Sequence, residues 1–393
     1  ASSEEEIVIE KKFKKLVSWI VGNGGRVDDR LGLTNYQHGN RFIRGGVALE
    51  NMEAGSELLF LPWKLVLGTV ADTADVPENS CDALRYYAGE VEAGYASFWH
   101  PYLALDDSLS NVGRVPSLWS EAAISRLQGL PPHLESTAGL TDWYSSNCAG
   151  GVPFSELPSS DRQALLAAIT RAAGMRFLPV YDLLNHHNGL LNTKSRAEEK
   201  GVTITITRFV KKGDEIYQSY RGGKDNRVSE MFRRYGFVES WPQYWSWTDP
   251  VRDRGDGTTA STLEFLRLPD DVVTINPPES MLHQIGNAAL DLGDLLATSE
   301  KHNHGLSTEQ LIRFSYAGLG LIEALDTTAE EDIVILQKME YNLRSNHLES
   351  GGDEQLMDQI SAVDYRMHFK QSILVALEVS EHILAVRRDA NEL

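Results

Sequence analysis

The sequence predicts an α+β chain, and three observations carry that reading. Gly201 to Phe209 sets Val202, Ile204 and Ile206 at alternate positions with threonines between them, the period-two pattern of a half-buried strand. A second alternating segment, Glu215 to Tyr220, follows the turn residues Lys212-Gly213, so the two read as a hairpin. Helical periodicity prevails elsewhere, at both ends of the chain and between two strand-rich blocks, and the texture changes at a boundary near residue 245.

Taken in order, Glu5 to Val21 puts Ile7, Ile9, Phe13, Leu16, Val17, Ile20 and Val21 mostly on one face and ends at Gly22-Asn23-Gly24-Gly25, which predicts an amphipathic packing helix with a glycine stop. Phe42 to Gly68 holds short apolar strands separated by the turn Glu53-Ala54-Gly55, and Gly45-Gly46 lets backbone come close to a ligand because no Cβ intervenes. Residues 71–171 are helical in texture, with Ser97–Asp106 and Val115–Glu135 as the clearest segments and Pro131-Pro132 as a stop; Trp99, Tyr102 and Trp119 are expected in the core. A helix from Asp161 to Ala173 carries Thr170-Arg171. The aromatic WPQYWSWT and the Gly/Asp/Thr-rich stretch after it read as a junction, followed by helices at 281–297, 308–325, 330–345 and 353–386, the last two separated by LESGGDEQ. No repeat of solenoid period is present.

Composition narrows the function classes. With 393 residues and 42% hydrophobic residues the chain can bury ordinary cores. Fifty-six acidic against 37 basic residues give a formal charge of −19, which disfavours direct nucleic-acid binding and favours the approach of a cationic protein partner. Cys81 and Cys148 are the only cysteines, so neither a disulfide scaffold nor a cysteine zinc site is expected, and no metal is assigned to His302 and His304. No apolar run approaches the roughly 20 residues that cross a bilayer. The acidic ASSEEE start is unlike an Arg-rich targeting peptide, and the expectation is a soluble intracellular monomer, with cytosol, nucleus and plastid left open.

One ordered set stands out: Arg44-Gly45-Gly46-Val47-Ala48, then Phe-Trp-His-Pro-Tyr and Leu-Trp-Ser-Glu, Thr170-Arg171, Asp182-Leu-Leu-Asn185-His186, Gly-Asp-Glu, Tyr217-x-x-Tyr220, Asn226 and Tyr235-Gly-Phe237. Roughly residues 10 to 390 thereby resemble the SET-domain methyltransferases of the Rubisco large-subunit lysine methyltransferase subfamily. Ile43 stands where many relatives carry a first glycine, and Gly46 where they carry a larger apolar residue. The resemblance implies a SET β-fold of small sheets over about residues 1–245, with strand-rich halves near 30–70 and 172–240 split by a helical insertion over 71–171. It also implies an all-helical substrate-binding domain over 246–393.

By the same resemblance, S-adenosylmethionine is the expected methyl donor, held by Arg44, Gly45, Gly46, Arg171, Asn185, His186, Tyr235 and Phe237. Tyr220 is the expected catalytic residue, Tyr181 and Tyr217 are expected beside the substrate, and Asp182 orders the Asn-His turn. Methyl transfer to an amine is an in-line displacement that needs alignment, exclusion of water and an uncharged nucleophile, while free lysine with a pKa of about 10.4 is almost wholly protonated at neutral pH. A narrow apolar channel favours the neutral amine, so a tyrosine hydroxyl suffices where a strong base is not required. The expected partner is a protein bearing the target lysine. Histidine is the alternative target, because Tyr181 would narrow the channel for a flat ring, and a SET-like interaction module without turnover is the non-enzymatic alternative.

Overall fold

The computed structural model describes residues 3–38, 41–68, 80–108, 115–119, 121–130, 139–220, 227–248, 262–285, 291–346 and 353–390. The turn at Pro131-Pro132, the motif residue Asn226, the Gly/Asp/Thr-rich junction at 249–261 and the break at 347–352 lie outside the described residues. Two compact units emerge, one drawn from Ala1–Asn111, Leu140–Lys224 and Gly286–Ala289, the other from Val112–Gly139, Asp225–Ile285 and Leu290–Leu393. Segments 112–139 and 225–245, which the sequence reading assigns to the first domain, thus group with the second unit.

The first unit opens with helix Ser3–Gly22, whose Phe13, Leu16 and Ile20 are buried, whereas Ile7 and Val21, expected on the same face, are exposed. Among the described residues eight strands follow: β1 Arg26–Val27, β2 Leu31–His38, β3 Arg41–Ala48, β4 Glu57–Pro62, β5 Asn185–His186, β6 Thr193–Glu198, β7 Gly201–Ile206 and β8 Glu215–Gln218. They form two four-stranded sheets, ordered β1-β4-β7-β6 and β2-β3-β8-β5. Both strands expected at 201–209 and 215–220 are present, but they do not form a hairpin. β7 pairs antiparallel with β4 on one side and β6 on the other, so neither of its edges is open to β8. Gly213, at φ 90°, turns the chain away, and β8 enters the other sheet between β3 and β5.

Helices Ser80–Ala93 and Ser159–Thr170 cover this β-core, with Tyr87 and Phe177 packed at a 4.7 Å ring separation. Trp99 and Tyr102 are buried as expected. Cys81 and Cys148 are bonded, with their Cα atoms 5.3 Å apart across 67 residues, tying the start of helix Ser80–Ala93 to the end of helix Gly139–Asn147. This corrects the expectation drawn from sparse cysteines: the pairing is set by how helices pack, and spacing along the chain carries no sign of it.

The second unit contains a sheet that helical periodicity did not disclose: β9 Gln243–Thr248, β10 Thr262–Arg267 and β11 Val273–Ile275, with β10 in the centre. Phe265 faces Trp245 on one side and Ile275 on the other, and all three are buried. Helices Leu292–Gly305, Thr308–Glu323, Ala329–Asn346 and Asp353–Asp389 make up the helical region. The single helix expected at 281–297 is instead a short turn at Glu279–Leu282 and a new start at Leu292, because Asp291 caps that start by accepting from the Asp294 amide at 3.1 Å. Ser307 and Gln310 form a reciprocal capping box on the next helix. Trp119 is buried here, with its ring 5.5 Å from Phe232, which stacks on Tyr365 at 4.2 Å. Buried Asp332 is matched by Lys370 at 2.7 Å and Arg366 at 2.6 Å, a charge cluster inside the helical region.

Candidate active site

Three neighbouring strands of the first unit bring part of the expected residue set together. β3 runs antiparallel to β8 with Gly46 opposite Ile216 and Val47 opposite Glu215, while β5 runs parallel to β8 with Asn185 opposite Tyr217 and His186 opposite Gln218. Gly45, Gly46, Asn185, His186, Tyr217 and Tyr220 therefore lie in one neighbourhood although the chain places them far apart.

Both glycines have a steric reason to be there. A Cβ on Gly45 would stand 2.3 Å from Glu215 Oε1 and 2.7 Å from Asn185 Nδ2, and one on Gly46 would stand 2.4 Å from Leu184 Cδ2. The space that Gly45 leaves is used by a hydrogen bond: Asn185 Nδ2 donates to Glu215 Oε1 at 2.7 Å. The other oxygen of this buried carboxylate accepts from Tyr217 Oη at 2.9 Å. Asn192 and Thr193 pin the same strand, Asn192 donating to the Glu215 carbonyl at 3.0 Å and accepting from the Tyr217 amide at 2.8 Å, and Thr193 donating to the Tyr217 carbonyl at 2.7 Å.

His186 and Tyr220 form a second pair. The Tyr220 amide donates to His186 Nδ1 at 3.2 Å, and the two rings lie 5.3 Å apart at 31°. The same nitrogen lies 3.3 Å from the Gln218 carbonyl. Tyr220 is half-buried, so its side chain has access to solvent.

The approach to Asn185 is strained. Val180, a β-branched residue, has φ 74° and ψ −50°, a conformation that L-residues rarely adopt, and the turn Tyr181–Leu183 follows at once. The backbone is held by the Asp182 amide donating to Leu178 at 3.0 Å and by Gln218 Nε2 donating to the Tyr181 carbonyl at 2.8 Å and to that of Leu184 at 3.1 Å. Tyr181 is half-buried; burial raises its hydroxyl pKa, and hydrogen bonds with Ser195 and Thr193 oppose the rise.

Arg171, which ends helix Ser159–Thr170, reaches back into the same unit. Its Nη1 donates to the Asp182 carbonyl at 3.2 Å, its Nε lies 3.4 Å from Asp106 Oδ1 and 3.3 Å from Ser108 Oγ, and its Nη2 donates to Asp107. Arg44 Nη2 meets the same oxygen of Asp107 at 3.4 Å. Burial works to lower the pKa of Arg171, but Asp107, Asp106 and Asp182 together outweigh it and hold the guanidinium charged. For Arg44, burial dominates and neighbouring Arg171 adds to it, so its pKa is lowered. Asp182 receives a hydrogen bond from Tyr102 Oη; burial pushes its carboxyl up to about 7 against the pull of Arg171 and Tyr102. The same burial lifts Tyr102 and Tyr87 well above the usual tyrosine range.

Tyr235 and Phe237 belong to the second unit, where their rings are 6.2 Å apart. Four residues of the first-unit arrangement escaped the sequence reading as site members: Glu215, Asn192, Asp106 and Asp107. Period two puts Glu215 and Tyr217 on one face of β8, which is the signal that could have linked them. Asn192 and the aspartate pair have no such signal, since their partners are set by tertiary contacts.

Two guanidiniums, those of Arg44 and Arg171, meet at one carboxylate oxygen, an arrangement that suits an anionic group between them. No protein-family model matches the chain. Over 446 aligned residues it is 23% identical to the actin-histidine N-methyltransferase of Canis lupus familiaris, with 93% of this chain and 71% of that protein covered. Among solved structures, Rubisco LSMT bound to AdoMet matches with a TM-score of 0.56 at 16% identity over 95% of this chain and 92% of that one. The SET domain of LSMT bound to lysine and AdoHcy matches with a TM-score of 0.55 at 16% identity, covering 97% and 92% of the two chains. A third, Rubisco LSMT bound to sinefungin and monomethyllysine, gives 0.55 at 17% identity over 95% and 92%.

Proposed function

We propose that this chain, which has the SET-domain fold of the Rubisco LSMT structures, is a protein methyltransferase that moves a methyl group from S-adenosylmethionine to a protein lysine. The observation that carries the reading is the meeting of Gly45-Gly46 on β3 and Asn185-His186 on β5 with Tyr220, two residues past the end of β8, in that fold.

When bound, S-adenosylmethionine supplies an electrophilic methyl carbon on a positively charged sulfur. Arg44 and Arg171 would hold its carboxylate, Gly45 and Gly46 would give it backbone to lie against, and Asn185 and His186 would hold its adenine and amino-acid ends. Tyr220 is the proposed catalytic residue: its hydroxyl orients the attacking nitrogen and accepts weak C–H contacts as the methyl moves. The proposed role of Tyr217 is to line the substrate side with its ring while its hydroxyl stays on Glu215. A half-buried Tyr181 narrows the channel, and the lysine proton leaves to water before attack, aided by desolvation of the ammonium.

The helical region over 291–389 is the proposed docking domain for the protein substrate, and the exposed Tyr316, Val334 and Tyr341 on its helices supply apolar contact area. A protein partner fits the net charge of −19, and the reading involves neither nucleic acid nor membrane. No helix among the described residues is long and apolar enough to cross a membrane. A monomeric intracellular enzyme completes the proposal.

A histidine target is the second reading, favoured by the relative that acts on actin histidine and by Tyr181 at the channel. Labelled-methyl transfer into a cell extract, followed by peptide mapping, tests all of this. Label on lysine supports the main reading, label on histidine selects the second, and cofactor binding by calorimetry without transfer points to a non-catalytic module.

A further inference from the structure

We propose that Asp107 is an internal competitor for the carboxylate of S-adenosylmethionine, occupying the anion position between Arg44 and Arg171 that the ligand takes over on binding. This rests on the reading of the site as one for that donor.

Four observations lead to it. First, Arg44 Nη2 and Arg171 Nη2 converge on a single oxygen, Asp107 Oδ1, so an anion is needed between two like charges. Second, the arginines are deep, with side chains 12% and 8% exposed, while the Asp107 side chain is 45% exposed. The carboxylate therefore stands on the solvent side of the two guanidiniums, where water can hydrate it.

Third, Arg171 does not depend on Asp107 for its position. Asp106, whose side chain is fully buried, sits 3.4 Å from Arg171 Nε and is itself fixed by Tyr87 Oη at 2.6 Å, Gln163 Nε2 at 2.8 Å and the Ser108 amide at 2.9 Å. The Asp182 carbonyl takes Arg171 Nη1. Fourth, Arg44 Nε is buried without a hydrogen-bond partner among the described residues, so the pair of arginines has a donor that the single Asp107 oxygen leaves unused. A ligand carboxylate, free to present both oxygens, uses this fork more fully. Exchanging one carboxylate for another leaves the local charge unchanged, so the ligand introduces no new uncompensated charge.

The experiment compares S-adenosylhomocysteine, which carries the carboxylate, with 5′-methylthioadenosine, which lacks it, by calorimetry on the full chain. Asp107→Ala is expected to lower the Kd for S-adenosylhomocysteine about fivefold, the size of a half-exposed ion pair, and to leave methylthioadenosine unchanged. Asp107→Asn, which keeps the shape and removes the charge, is expected to do the same and stands in if the alanine variant does not fold. Weaker or unchanged S-adenosylhomocysteine binding in the folded variant overturns the proposal, as does equal tightening of both ligands. If the wild-type chain binds neither ligand, the methyltransferase reading itself fails.

Discussion

Replacing Gly45 by alanine tests the hydrogen-bonded floor of the site with a single methyl group. The added Cβ would lie 2.3 Å from Glu215 Oε1 and 2.7 Å from Asn185 Nδ2, below any contact that real Cβ atoms make, so one or both groups must move. They cannot move independently, because the bond between them is 2.7 Å long and the other Glu215 oxygen is held by Tyr217 at 2.9 Å. Losing one hydrogen bond to a buried carboxylate costs about 1.5–3 kcal/mol, and overpacking adds about 1 kcal/mol or more, so the variant should lose about 3 kcal/mol. Gly46→Ala is the matched control. Its Cβ meets the Leu184 methyl at 2.4 Å, with Ile216 Cβ at 3.4 Å and Leu31 Cδ1 at 3.5 Å, all apolar carbons, so about 1 kcal/mol is expected. Urea denaturation of both variants, with S-adenosylhomocysteine titrated calorimetrically into each, separates stability from binding. Gly45→Ala should be the less stable and should weaken binding at least tenfold, while Gly46→Ala retains most of the affinity. Wild-type affinity in folded Gly45→Ala, or the greater damage in Gly46→Ala, would refute the claim that the Asn185–Glu215 pair organises the site.

Three further outcomes are expected. Tyr220→Phe should lower kcat and kcat/KM together by about 2–4 kcal/mol of transition-state stabilisation with little change in donor affinity, whereas Tyr217→Phe should be mild; steady-state kinetics showing the reverse moves the catalytic assignment to Tyr217. Asp182 has a folded pKa of about 7 against an unfolded value near 3.8, so the folded protein binds the extra proton between those values and loses stability as pH rises through them, with the penalty complete above about 7. Asp182→Asn removes the titration, and melting curves at pH 5.5 and pH 8 should show the variant gaining on the wild type at the higher pH; a constant difference contradicts the buried-carboxyl account. Reducing Cys81–Cys148 opens a 67-residue separation and, by loop entropy, should cost about 4 kcal/mol, so melting under a thiol reductant must shift downward if the bond supports the first unit.

Much of this was legible in the sequence where chemistry is local. The alternation at 201–206 and the Asn185-His186 dipeptide were each found within a few residues of their observed place. Pairing was not legible. β7 and β8 look like hairpin partners because one turn separates them, yet β7 has both edges taken by β4 and β6, a fact held in residues far up the chain. The three-stranded sheet at 243–275 was hidden for a related reason: β9 is dense in aromatics, and its partner β10 begins only at Thr262. Glu215 was read as the first residue of the second alternating segment, and the depth of its burial and the nearness of Gly45 reveal it as the hub of Asn185 and Tyr217.

The placing of β8 between β3 and β5 also sets when the site can come into being. β3 is made early and β8 late, so during synthesis β3 is an unpaired edge on one side until the ribosome has passed Gln218. Pairings this distant in sequence form slowly, after loop closures that local contacts do not repay. A nascent or truncated chain ending before Glu215 therefore carries Gly45-Gly46 and Asn185-His186 without the strand that joins them, and exposes a sticky backbone edge instead of a binding site. Competence to bind a ligand and protection from aggregation thus arrive in the same folding event.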